Sequence, residues 1–514
     1  MFAGLAVLSI KVASAQTDLW ARQFATSFEE DANGVAIDDA GNIYVFGETG
    51  GILPGQTRGG GRIDAYIAKY DTDGDVLWVR QFGGVGEDSA LAGTVDDTGN
   101  LYVVGQSPGE LPGRLFVGGL SGAFVRKYTG DGDELWSRQF GTEVSAKANG
   151  VAVAAAGNVY VVGQVEGALP GQRHIGNSDA FIRAYDDSGN ELWTRQFGAS
   201  GGDFALDVAV DEGGSVYVVG WSRSKVEMPS QGSVIEMMAF IRKYDPDGIN
   251  IWHVRIEGSG LATATSVGVD GSGNVYLAGW ISGALSGQIQ VGETDAFVAR
   301  YDRDGVEVWT RQFGTGDEDR AEGIDVDGEG NLYVVGWTRG RFPGHAGLGE
   351  LTILVRTDGF VSRFDSDGRE LWTRQFGTKH TQSSSGVVGD DSGNLYMVGQ
   401  TMGSIYGETY YGTTDAFIVK FRGAPDQIVG GGESGPAPLA QADGTSTEVP
   451  PDVATALPAS TATIPAPTPA PAVPEQSGGG GCNSAIGGNG NADIGWLLLF
   501  LAGPGLVLVR AKGR

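Results

Sequence analysis

Apolar residues in this chain come in short runs separated by Gly, Asp and Ser. The segments "GIDVD" (323–327), "NLYVVGW" (331–337), "GFVSRFD" (359–365) and "LWTRQFG" (371–377) are typical, rich in Val, Tyr, Phe and Trp with polar residues interleaved. Such runs, bounded by turn formers, predict β-strands. Gly328-Glu329-Gly330 joins the first pair and Ser366-Asp367-Gly368 the last pair, so each pair reads as a tight hairpin with Gly at the φ > 0 position. The link from second to third strand is long and variable, as in "ETGGILPGQTRGGGRI" (48–63).

The four-run unit repeats. "ELWTRQFG" stands at 191–198 and again at 370–377, and Trp recurs at 20, 78, 136, 193, 252, 309 and 372, with spacings of 57 to 63 residues. A period of this length filled with short strands predicts propeller blades. The expected fold is all-β, a seven-bladed β-propeller of four-stranded antiparallel blades. Its chain opens on an orphan outer strand, "LWARQFA" (19–25), and its last unit ends at "DAFIVKF" (415–421) without one. Pairing 19–25 beside 415–421 would complete the last blade and leave no open sheet edge.

Period-two alternation puts Trp193, Arg195 and Phe197 on one face of their strand, as packing between blades. With three residues in the outer hairpin turn, Asp64 lies diagonal to Arg80, Asp179 to Arg195 and Asp295 to Arg311, and structural ion pairs are expected there. The fourth unit has Met238 and Val254 instead, and the second keeps Arg138 but has Gly122 for the Asp.

Together "GNVYVVG" (157–163), "DAFIRAYD" (179–186) and the Trp strands resemble the SBBP repeat, a seven-bladed β-propeller family of exported bacterial proteins. The resemblance covers residues 18–423 and implies fold and address; it brings no common activity with it.

Outside that span the composition changes. Residues 1–17 read as a signal peptide truncated at its start, apolar over Met1–Ile10 with Ala13-Ser14-Ala15 as cleavage site. Residues 424–481, centred on "TATIPAPTPAPAVP" (461–474), form a Pro-, Ala-, Thr- and Gly-rich linker expected to be disordered. Residues 482–514 carry Cys482, an apolar helix at 494–509 and the terminal Arg510, Lys512 and Arg514. That order resembles bacterial C-terminal sorting tails, which implies processing at Cys482 by a sorting protease and attachment to the cell envelope. A plain single-span membrane anchor through 494–509 is the alternative.

The chain holds 63 acidic and 35 basic residues, a net charge of −28, which leaves no basic footprint for nucleic acid. A single Cys excludes an intrachain disulfide. His174, His253, His345 and His380 fall in different units without ligand spacing, so no metal site is expected, and no motif calls for a cofactor. Quinone-dependent propeller dehydrogenases share a Trp near such turns but not this period, unit number or Cys content. The "D-x-D-G" turns, such as Asp71/Asp73 and Asp302/Asp304, lack the oxygen count of a calcium loop and are expected to cap their own backbone.

Strands are near copies whereas the long loops differ in every unit, as on a binding surface. The leading functional reading is a non-catalytic binding or adhesion module displayed at the cell surface, meeting an extracellular glycan or surface protein. Its candidate contacts are Tyr406, Tyr410, Tyr411, Arg173, His174, Arg223 and Lys225. A structural scaffold or spacer is the second reading, and an enzyme with an acidic central-channel site the third.

Overall fold

The computed structural model describes residues 20–111, 119–228, 232–343, 356–378, 380–390 and 392–422; for 225–228 and 232–235 it describes the backbone alone. The segments read above as signal peptide, linker, Cys482 tail and apolar helix lie outside these residues. Contacts divide the chain into two compact units, Met1–Glu433 and Ser434–Arg514, and everything described belongs to the first.

Seven four-stranded antiparallel sheets follow one another along the chain. Blade 1 runs Glu30–Ile37, Ile43–Thr49, Asp64–Tyr70 and Val76–Phe82, from the inner strand to the outer. Blades 2 to 6 begin at Ser89, Ser145, Asp203, Ala262 and Asp319. Blade 7 takes its inner three strands from 382–422 and its outer strand, Trp20–Phe24, from the other end of the chain, with Gln23 opposite Phe417. The ring is therefore closed by strand pairing, which removes the one edge the repeat would leave open.

Second and third strands are buried on both faces, as Ile43–Phe46 and Ala65–Ala68 show, because each sheet packs against a blade on either side. Phe82 of blade 1 meets Phe124 of blade 2 edge-on at 5.7 Å, and Phe140 meets Phe181 of blade 3 at 5.5 Å. Turns are closed by their own Asp: Asp71 Oδ1 accepts the N–H of Asp73 and of Asp75 at 3.0 and 2.8 Å. The Asp of the "D-x-D-G" turn thus caps its own backbone, as the sequence predicts.

The predicted Asp–Arg ion pairs do not form. The outer turn holds five residues, 71–75, and its pairing shifts register between Lys69 and Tyr70, so that Ile67 opposes Arg80 and Tyr66 opposes Gln81. One added residue flips every later side chain to the other face. Gln81, not Arg80, then lies on the face of Asp64, and its Nε2 donates to Asp64 Oδ2 at 2.7 Å. Gln196–Asp179 and Gln312–Asp295 repeat the bond at 2.7 and 2.6 Å.

Arg80 turns instead to the next blade. Its Nε donates to the carbonyl of Gly132 at 3.0 Å, while the indole Nε1 of Trp78 donates to that of Gly130 at 3.1 Å. Trp193 and Arg195 hold Pro246 and Gly248 in the same way, and Trp309 and Arg311 hold Ser366 and Gly368. Gly248 has φ 76°, and a Cβ there would stand 2.7 Å from the Trp193 ring, so both the turn and the contact demand glycine. Each Trp-x-Arg pair is a clasp on the following blade's outer turn. Trp372 and Arg374 of blade 6 are the exception: Trp372 Nε1 and Arg374 Nε have no acceptor among the described residues. In blade 7, which they face, the strands that would flank that turn, Asp415–Arg422 and Trp20–Phe24, come from opposite ends of the propeller and are not joined by it.

Gln has a second task. Gln81 Oε1 accepts the N–H of Leu53 at 2.9 Å and its Nε2 donates to the carbonyl of Gly51 at 2.9 Å, pinning the long loop of its own blade. Gln139, Gln196, Gln312, Gln375 and Gln23 do the same in blades 2, 3, 5, 6 and 7.

Candidate functional site

The inner strands approach one another closely around the central channel. A Cβ on Gly150 would lie 3.0 Å from the Cα of Asp207 in the next blade, and one on Gly386 would lie 3.5 Å from the Cα of Gly34, across the closure. At this waist Asp207 Oδ2 accepts the Ser266 hydroxyl at 2.8 Å and the Val267 N–H at 3.0 Å.

Every inner strand then carries one bulge, with Asn33, Leu91, Asn149, Leu206, Thr265, Glu322 and Ser385 as the added residues. Bulges re-aim side chains. Asn33 donates to the carbonyl of Ala90, Asn149 to that of Ala205 and Thr265 to that of Ala321, each reaching the neighbouring blade at 2.8 to 3.1 Å.

Beyond the bulge, toward the long loops, comes a ring of cross-strand pairs: Asp31–Glu48, Ser89–Gln106, Lys147–Gln164, Phe204–Trp221, Thr263–Trp280, Arg320–Trp337 and Ser383–Gln400. Blades 4 to 6 make an aromatic half. Trp221 stacks on Phe204 at 4.2 Å, and the Arg320 guanidinium lies 4.3 Å from the ring centre of Trp280 and 5.2 Å from that of Trp337. Trp337 is buried and donates to Glu322 at 3.0 Å, whereas Trp221 and Trp280 stay partly open.

The other half is polar and charged. Ser89 donates to Glu48, whose carboxyl burial raises. Burial, then the charges of Glu48, Glu29 and Glu30, lift the Asp31 carboxyl to about 7. Burial lowers the Lys147 ammonium, with Glu48 opposing the shift. In the ring, Asp31 Oδ1, Thr263 Oγ1, Arg320 Nε and Ser383 Oγ are buried with no hydrogen-bond partner among the described residues. Four of the seven equivalent positions thus keep a buried polar atom that no described residue pairs, and such atoms are ordinarily completed by water or by a ligand group.

The residues predicted from the loops lie on blades 3, 4 and 7. Arg173 and His174 are exposed on blade 3, and His174 Nδ1 lies 3.1 Å from Asp179 Oδ2. Arg223 is exposed in blade 4 and Lys225 belongs to the same strand, Val216–Met228. Tyr406, Tyr410 and Tyr411 belong to blade 7. Tyr411 is 58% exposed and Tyr410 donates to the carbonyl of Thr413. Tyr406, at φ 48°, packs against the cluster of Ala21, Ile405 and Phe417 where the ring closes.

The mouth residues went unnoticed in the sequence because their neighbours in space are a blade apart. A signal was present: the residue after the strand glycine in "YVFG", "YVVG", "YLAG" or "YMVG" reads Glu48, Gln106, Gln164, Trp221, Trp280, Trp337 and Gln400 while the four before it scarcely change. Among the described residues no cluster of three or more His, Cys, Asp or Glu side chains could hold a metal ion.

The SBBP beta-propeller repeat family matches residues 19–54, 192–225 and 308–343. Regulatory protein FlaEY of Caulobacter vibrioides is 25% identical over 409 residues, covering 74% of this chain and 37% of its own length. A WD repeat-containing protein, L264, of Acanthamoeba polyphaga mimivirus is 29% identical over 182 residues, covering 29% of this chain and 13% of its own. The chain thus spans well under half of either relative. Among solved structures, Sqt1 from Chaetomium thermophilum superimposes with a TM-score of 0.41 at 10% identity, over 79% of this chain and 100% of that one. The endosialidase of phage phi92 gives 0.40 at 12% identity, over 82% and 72%. Blade count and closure make this chain a seven-bladed β-propeller repeat protein, three segments of which match the SBBP beta-propeller repeat.

Proposed function

We propose that the protein is a non-catalytic binding module whose ligand seats at the channel mouth, between the Trp221/Trp280 side and the Glu48/Gln164 side. The ring of orphan polar atoms at Asp31, Thr263, Arg320 and Ser383 carries this reading. Partly open indoles beside Gln and carboxylate groups suit a neutral glycan, since a sugar ring offers apolar C–H faces and many hydroxyls. Charge points the same way: Arg320 has Glu318 and Glu322 near it and Lys147 has Glu48, so neither cation of the mouth is left over to call for an anion. The loops bearing Arg173 and Tyr411, with the strand bearing Arg223, would form the rim. The word regulatory in the name of FlaEY is compatible with interaction rather than catalysis.

The test is a neutral oligosaccharide array probed with the full chain and with Trp280→Ala and Glu48→Gln. Glycan binding lost in both folded variants supports the site, and glycan binding unchanged in both refutes it. A second reading, an enzyme of the acidic channel, draws on the Asp31 carboxyl at about 7 beside Glu48. Release of reducing sugar from a bound glycan would favour it. Export, envelope attachment and an adhesive role for the module remain part of the proposal, through residues 1–17, Cys482 and 494–509.

A further inference from the structure

Blade 4 breaks the repeat at several linked positions. Met238 and Arg255 stand where five of the other six blades pair Asp with Gln, as Asp179 with Gln196. The pinned loop is gone as well. Two 13-residue strands, Val216–Met228 and Gly232–Tyr244, run on as a hairpin where other blades have strands of seven or eight residues.

A third change sits beneath these. In blades 2 and 3, Arg126 and Arg183 lie over Phe82 and Phe140, each at 4.2 Å, and pair with Glu134 and Glu191. Arg242 occupies the same station, 4.2 Å over Phe197, but the residue opposite Tyr244 is Asn250, which offers no carboxylate. Arg242 Nε has no acceptor among the described residues, and neither has Arg126 Nε, so the missing carboxylate is what sets Arg242 apart. His253 is directly across the strand pair from Arg242, and Arg255 follows two residues on, so three cationic or protonatable groups share one face.

That face lines a cleft between blades 3 and 4, with Phe197, Asp203 and Ser222 on its other walls. Asp203 is the one carboxylate lining it; it accepts the Ser222 hydroxyl and, at 2.7 Å, the N–H of Ala199, and its charge also reaches Arg242, so one carboxylate faces two guanidiniums. Burial and then Arg242 and Arg255 hold the His253 imidazole below its ordinary value. Two guanidiniums crowd a histidine, then, in a chain whose net charge is −28.

We propose that this cleft is a binding site for one oxyanion group of a small ligand, gripped by the Arg242 and Arg255 guanidiniums with His253 as a further donor. Guanidinium forks match the oxygen spacing of carboxylate, phosphate and sulfate. The site shares no residue with the channel mouth, and it stands or falls apart from any ligand there.

The repeat itself supplies the variants. Arg255→Gln restores the residue the other six blades use, and Asn250→Glu restores the carboxylate that neutralises Arg126 and Arg183. Both substitutions bring in what neighbouring blades already accommodate, and unchanged melting checks their folding. The full chain with labelled histidines is titrated by NMR in the presence of inorganic phosphate, sulfate or acetate. Phosphate, sulfate or acetate at the site raises the pH at which His253 titrates and leaves His174 and His380 unmoved. Arg255→Gln and Asn250→Glu each weaken that response by roughly tenfold or more. A response to acetate alone identifies a carboxylate ligand, and one to phosphate or sulfate alone identifies an ester. The proposal is overturned if none of the three anions moves His253, or if both variants respond like the wild type.

Discussion

Gln196 holds Asp179 with a 2.7 Å hydrogen bond, and the same amide accepts the N–H of Leu169 and donates to the carbonyl of Gly167. One side chain on the outer strand thus fixes both the start of the third strand and the loop that leads to it. Gln196→Ala should therefore lower stability by about 2 kcal/mol, since buried groups lose their partners. It should also open 167–178 to protease before the rest of the blade. Chemical denaturation and mapping of the first cut check this; an unchanged midpoint with an uncut loop would refute the clamp.

The clasp predicts an inequality between chemically identical variants. Arg195→Ala removes bonds to Gly248, Asp247 and Thr194, whereas Arg374 has no acceptor for its Nε among the described residues. The first should cost about 1–2 kcal/mol more than the second. Equal losses in paired melts would show that the seventh clasp is filled.

Acid should stabilise the propeller, down to a limit. Asp31 is lifted to about 7, and Asp88, Asp319 and Asp325 to about 6, all chiefly by burial. Each is raised above its unfolded value, so the folded state holds more protons, and the stability they contribute is complete below about pH 4 and lost as pH rises through 6 to 7. The turn residues Asp38, Asp96 and Asp270 are lowered by hydrogen bonds from Asn and Tyr, so their contribution fades as pH falls below about 4. Melting temperature should peak between about pH 4 and 5, and Asp31→Asn should flatten the decline toward pH 8. A maximum at pH 8 in both proteins would contradict the assignment.

The three tyrosines of blade 7 should separate. Tyr406→Ser exposes the closing cluster and should destabilise by about 2–3 kcal/mol, while Tyr411→Ser should leave melting within about 0.5 kcal/mol. If Tyr411→Ser also leaves attachment of the displayed protein to its native surface intact, the loop at 405–412 is no part of the rim.

Processing at Cys482 is open to a direct trial. Cys482→Ala should leave full-length protein in the membrane, whereas the wild type should mature without Arg514. Wild-type protein that keeps Arg514 in its native cell is held by a simple anchor.

Blade number and closure were legible because they rest on spacing: Trp at a steady interval, an orphan strand at one end and a missing one at the other. The partners of Arg80 and Gln81 were not, because a single residue inserted after the turn exchanges the two faces, and nothing in "DTDGDVLW" announces it. The mouth was hidden for a different reason. Asp31, Lys147 and Arg320 lie a hundred or more residues apart and share only a register position, which becomes visible once the ring brings it to a common axis.

Blade 7 also decides how the molecule would answer a pull. A chain continuing from Arg422 transmits load into Asp415–Arg422, a strand hydrogen-bonded to Asn394–Thr401 on one side and Trp20–Phe24 on the other. Were Trp20–Phe24 absent, that strand would lie at the sheet edge and could peel away one bond at a time. Held between two neighbours, it cannot be drawn out without breaking both ladders together. Force applied at Arg422 would then be shared between both ladders of blade 7 before any one strand came free.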